Sequence, residues 1–218
     1  MNDRRALGAA AILVAIGPIA FFAIFATWSA SGLSQSDAAD PTIAIPFLRA
    51  HASMLVAPTL NSIVMHVAAI VLAVGLWSAL RDRAPLIATT GALLGVSWGL
   101  ADIAQSLVTY NAILNRTAAD PATIDIVTKG LQNAAHLGGG LWTLAIVATS
   151  GALFGRAHRT FGLVTGLVFA AHALIVPAMP QWFYLEYVLL PVWFGWTGIA
   201  ILRSDQDALR RPLLATVA

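Results

Sequence analysis

Five ionisable side chains stand in stretches of sequence that are otherwise apolar: His66, Asp102, His136, His172 and Glu186. Three imidazoles and two carboxylates are a sufficient donor set for zinc, or for a non-haem iron site of two histidines and one carboxylate. A metal so held lowers the pKa of a bound water and supplies a nucleophile at neutral pH. The same residues could instead relay protons, or contact the headgroup of a lipid or other amphipathic ligand. They could equally do no chemistry and hold a bundle together by hydrogen-bonding one another. No two share the i, i+3 or i+4 spacing of a helical ligand pair, so every reading needs five separate segments to bring them together. The expected metal ligands are His66, His136, His172 and Asp102, with zinc or iron as the ion. Haem b is a further alternative, since His158 and His172 are fourteen apart and His51 and His66 fifteen. Against it, His158 falls in a basic turn and His51 sits beside Arg49, where solvated or interfacial rings are expected.

The elements that must position these groups follow from composition. In 218 residues, 59% are hydrophobic and 10% charged, with a mean hydropathy of +0.80. A soluble protein carries about 25% charge, so most of this chain must face lipid. With no cysteine, disulfides, thiolate metal sites and a cysteine nucleophile are excluded. The net charge of +2 comes from basic residues in short loops and at the ends, which is a topology signal and gives no nucleic-acid partner.

Six segments satisfy the ~20 apolar residues that a bilayer core of about 30 Å requires: 6–28, 53–80, 85–110, 126–154, 161–179 and 182–202. The apolar run after Arg4 and Arg5 is longer than the ~7–15 residues of a signal h-region, so it reads as a retained helix. The expected fold is all-α, a single transmembrane domain over 1–218. Arg4, Arg5, Arg81, Arg83, Arg156, Arg159, Arg203, Arg210 and Arg211 fall on one side of such a bundle, and Arg49, Arg116 and Lys129 on the other. Both termini are then cytoplasmic. The outer loop 29–52 holds an apolar patch, Ile43–Leu48, expected on the membrane surface or folded back as a lid. Pro58 is expected to kink the second helix.

Helical spacing gives each segment a polar or small-residue face. Gly91, Gly95 and Gly99 form a ridge that Asp102, Gln105 and Ser106 continue. Ser62, His66, Ala69 and Ala73 align on the second helix, and Gln132, His136, Gly140 and Thr143 on the fourth. Gly162, Thr165, Phe169 and His172 align on the fifth, and Glu186, Leu190, Trp193 and Thr197 on the sixth. Counting from the helix ends, most of the five ionisable groups lie in the outer half, with His66 nearer the middle. They are expected to converge on a site that opens outward. Trp98, Trp142, Trp193 and Phe169 are candidates to wall a cavity there, or plain packing. Trp28, Tyr110, Trp182 and Tyr184 form an outer aromatic belt. The glycine run 138–140 reads as close helix packing. Lys129, the only lysine, sits near an outer helix end, so a retinal Schiff base is not expected.

The layout from His136-Leu-Gly-Gly-Gly140 through the basic turn Arg156–Arg159, Phe161-Gly-Leu-Val-Thr-Gly166, Pro177, Pro180 and Trp193-Phe-Gly-Trp196 resembles an uncharacterised bacterial membrane family, the 4386 family of domains of unknown function. The resemblance implies a six-helix protein of the bacterial inner membrane and brings no catalytic residues with it. Function is therefore expected to rest on the polar site, binding a metal or an amphipathic ligand in a membrane-embedded enzyme or binding protein. The alternative is an accessory subunit whose glycine ridge meets a partner protein or a second copy.

Overall fold

The computed structural model describes residues 3–82, 84–114, 120–150, 154–176, 179 and 182–204. Arg83, Arg116, Pro177, Pro180, Arg210 and Arg211, cited above for topology or layout, lie outside the described residues. Within them every element is helical and there is no strand: α1 (Asp3–Ala30), α2 (Gln35–Ala39), α3 (Pro41–Ala50), α4 (Val56–Leu80), α5 (Pro85–Leu114), α6 (Pro121–Thr149), α7 (Arg156–Ala170), α8 (His172–Ile175) and α9 (Trp182–Arg203).

The main helices pack in sequence order, α1 on α4, α4 on α5, α5 on α6, α6 on α7 and α7 on α9, and α9 closes the ring against α1. The closure is tight. A Cβ on Gly8 would meet the Leu202 side chain at 2.5 Å, and one on Gly198 the Gly8 carbonyl at 2.8 Å. At the same end the Arg4 guanidinium donates to the Ser204 carbonyl. The ring interior is an aromatic core in which Phe194 stacks on Trp98, with Trp142 tilted against both.

Burial is inverted relative to a water-soluble protein. Buried polar residues include His66, Asp102, His136, His158, His172 and Glu186, while Leu174, Leu86 and Ile126 are 83%, 79% and 71% exposed. An apolar belt of that extent is not tolerated against water. Four helical stretches are long and apolar enough to cross a membrane: Asp3–Ala30, Ala52–Leu80, Pro85–Leu114 and Tyr184–Arg203. The chain is thus an all-helical protein compatible with multi-pass insertion. The fourth and fifth expected spans fall short of that criterion for identifiable reasons. Gln132, Asn133, His136 and three glycines dilute the apolar character of α6. The fifth helix is interrupted at Ala171, between α7 and α8.

Other boundaries moved as well. A 3₁₀ turn over Ala52–Leu55 precedes α4, so Pro58 sits in the first turn of the helix instead of kinking it; its missing N–H costs nothing there. The loop 29–52 contains two helices. Its patch folds back over the bundle: Ile45 and Leu48 of α3 bury against Ala112 and Ile113 near the end of α5 and Ile124 near the start of α6. The Gly91/Gly95/Gly99 ridge is covered by this chain's own α4 and α6, through Ala73, Ile70, Trp142 and Ala145.

The start of α6 is set by Asp120, whose side chain accepts the Thr123 N–H at 2.9 Å and the Thr123 hydroxyl at 2.7 Å, with Pro121 following at the first helical position. These hydrogen bonds hold the Asp120 carboxyl below its ordinary value of 3.8. A carboxyl lowered on folding stabilises above its unfolded pKa and loses that contribution as pH falls through the folded value. Acidification below 3.8 is therefore expected to fray the first turn of α6, read as faster amide exchange over Ala122–Asp125. Asp120→Asn should show no such acid step; the same step in that variant would refute the assignment.

Candidate functional site

The five residues come from α4 to α9, and each occupies the face its helix turns inward. The ring brings them together as two groups. In the first, His172 Nδ1 donates to both oxygens of Glu186, at 2.8 and 2.7 Å. His136 Nδ1 approaches the second of these oxygens at 3.2 Å. The two imidazole rings lie 3.9 Å apart between centroids. One donor atom from each of His136, His172 and Glu186 falls within 4.8 Å of the others. At 3.2 Å the His136 nitrogen has ion-pair distance but no aligned hydrogen bond, and it is buried. Its lone pair or proton is uncommitted.

In the second group, His66 Nε2 lies 2.9 Å from Asp102 Oδ2, which also accepts the Trp98 indole N–H at 2.8 Å. Trp98 and Asp102 are four residues apart on α5, so the helix itself sets that bond. His66 Nδ1 lies 2.8 Å from the Ser62 carbonyl. A carbonyl only accepts, so Nδ1 carries the proton and, in the neutral ring, Nε2 presents a lone pair. With Nδ1 committed to that carbonyl, Nε2 is the nitrogen that His66 turns toward Asp102 in this dyad. Ser62 accepts in turn from the Ser106 hydroxyl at 2.7 Å.

This partition differs from the expected ligand set. The carboxylate grouped with His136 and His172 is Glu186, and Asp102 belongs with His66. Glu186 is four residues into α9 and His136 fifteen into α6, which at 1.5 Å per residue is about 6 Å and about 22 Å. For two residues in contact, α6 must overshoot the start of α9 by roughly 16 Å. The overshoot carries the exposed Lys129–Asp125 pair, closed at 2.7 Å, and makes the shelf on which α3 rests.

A cavity of about 280 Å³ lies beside both groups, lined by His66, Asp102 and His136 among others. His172 and Glu186 are absent from its lining, so His136 alone of the first group faces it. Trp98 and Phe169 wall it, while Trp142 and Trp193 are core. The first helix, to which no ionisable residue is assigned, contributes Gly17, Pro18, Phe21 and Trp28. Tyr187 is a lining residue that sequence reasoning missed. It follows Glu186 by one position, which on a helix points it about 100° away; its place among aromatics Phe21 and Phe22 has no local signature.

The histidines offered as haem ligands are otherwise engaged. His158 is not solvated in a turn: it is buried inside α7, 3.0 Å from the Thr197 hydroxyl and packed by Phe154, Trp193 and Trp196. His51 is exposed, hydrogen-bonded at 3.0 Å to the Phe47 carbonyl and stacked on that ring. No protein-family model matches the chain, and no curated protein or solved structure matches it either.

Proposed function

We propose that the chain is a six-span protein of the bacterial inner membrane, with cytoplasmic termini, whose outward-facing polar site binds zinc or ferrous iron through His136, His172 and Glu186. The observation that carries this reading is the buried approach of the three donors. With metal–ligand bonds of about 2.0–2.2 Å, donors on a tetrahedron stand about 3.3–3.6 Å apart, a little more than the 3.2 Å between His136 and Glu186. Two histidines and one carboxylate with open positions suit either ion. Binding displaces the proton on His172 Nδ1, so occupancy falls as pH falls.

Orientation is supported by Arg4, Arg81, Arg156 and Arg203, which collect at the end opposite the cavity residues Leu55, Thr59 and Thr109. The chain lacks cysteine, so single cysteines report topology without background. Ala122→Cys is expected to react with an impermeant maleimide from outside, and Ala157→Cys only after the membrane is opened. Labelling of both from one side would remove α6 as a span.

Metal content of the detergent-purified protein tests the site. Near-stoichiometric zinc or iron, lost in His136→Ala and retained in His158→Ala, is expected. A metal-free, folded preparation that takes up neither ion on dialysis sinks the reading. The accessory-subunit alternative would have to use another face, since the glycine ridge is covered within the monomer.

A further inference from the structure

The cavity beside the dyad has a chemistry of its own, independent of any metal. Among its described lining residues there is no lysine or arginine, and its carboxylate is Asp102. An anionic headgroup would meet no cation there and one acidic group. It is lined by neutral hydrogen-bonding side chains, including Thr59, Asn61, Gln105, Ser106 and Gln132. Phe21, Trp98, Phe169 and Tyr187 supply aromatic surface. At about 280 Å³ it falls at the small end of ligand pockets, roughly 300–1,000 Å³, which suits a ring and not a whole lipid. At its floor, His66 Nε2 is buried with no aligned hydrogen bond, held in place by the Ser62 carbonyl at 2.8 Å.

We infer that this cavity binds an uncharged aromatic or quinoid ring bearing carbonyl or hydroxyl oxygens, one of which is met by the His66–Asp102 dyad. The aromatic walls stack on the ring faces. The dyad sets an imidazole nitrogen beside a carboxylate oxygen, so it can donate to a carbonyl oxygen or accept from a hydroxyl. The neutral amides and hydroxyls of the lining meet the ring's other oxygens. Two sources carry such a ring, a membrane quinone with an apolar tail and a small water-soluble phenol.

Calorimetric titration of the detergent-purified protein with a short-chain benzoquinone tests the inference, with phenol, a prenylated quinone and a phosphatidate as comparison probes. Saturable binding at one site per chain is expected. Asp102→Asn, which keeps the volume and removes the carboxylate, should weaken it about tenfold, the value of one hydrogen bond to a charged group. Ser106→Leu, which fills part of the cavity, should abolish it; Gln105→Leu serves if that variant fails to purify. Tighter binding of the prenylated quinone assigns the membrane source, and equal binding of phenol the soluble one. No saturable binding by the wild type overturns the inference. So does binding that both cavity-filling variants and Asp102→Asn leave unchanged, or displacement by phosphatidate. Because the titration needs no metal, its failure leaves the metal reading standing, and the converse holds.

Discussion

Gly140→Ala is expected to be the most damaging single methyl that can be added to this protein. A Cβ at Gly140 would lie 2.3 Å from the Ala170 nitrogen and 2.6 Å from its Cα. Those are backbone atoms, so no side chain can swing aside; α6 and α7 must separate. Small-residue contacts of this kind are what hold helices together where lipid removes the hydrophobic drive. Overpacking costs about 1–3 kcal/mol, occasionally more, and a clash with backbone belongs at the upper end. Separation would also carry His136 and His172, on the two sides of this seam, away from each other. Gly130→Ala is the matched control. It lies on the same helix with nothing within 4 Å of the added atom, so it should gain up to about 1 kcal/mol from helix propensity. Thermal unfolding of both variants in one detergent gives the comparison. Equal stability would mean that α6 and α7 are not in backbone contact.

Glu186→Ala is expected to show the second largest effect. Glu186 is 1% exposed and accepts from His172 while facing His136. Its removal leaves two imidazoles buried without their acceptor, and breaking a buried pair from one side costs about 3–5 kcal/mol. Glu186→Gln separates the roles. Its amide oxygen still accepts the His172 N–H, so most stability should return, while the charge that a cation needs does not. The expected pattern is a low melting temperature and no metal for Ala, and a near-normal melting temperature with no metal for Gln. Wild-type stability in the Ala variant would refute the role of Glu186 as the acceptor of His172 and the charged neighbour of His136.

The inward faces were legible because they are written in one-dimensional spacing. Thr165, Phe169 and His172 fall on one stripe, as do Glu186, Leu190, Trp193 and Thr197, and all are buried. The glycine run 138–140 likewise packs against Leu94, Trp98, Phe169 and Ala170. Which carboxylate joins which histidine was not legible, because it depends on how far each helix slides along its neighbour. Counting from an assumed start at 126 places His136 ten residues down; the Asp120 cap moves that start and lets α6 overshoot. The break at Ala171 was invisible for a different reason. Neither glycine nor proline marks it, and it lies next to the histidine that Glu186 holds. His158 was misread because arginines flank it at Arg156 and Arg159, while its burial is decided by Trp193 and Trp196, almost forty residues away.

The clasp between α1 and α9 has a consequence for biogenesis. A ribosome synthesises α1 well before α9, yet these are the two helices that close the ring. Until α9 arrives, the face of α1 around Gly8, which Leu202 and Gly198 eventually cover, is left open. The Glu186 acceptor that gathers His136 and His172 arrives with the same late helix. The histidine cluster and the closed ring are therefore completed by a single event, the docking of α9.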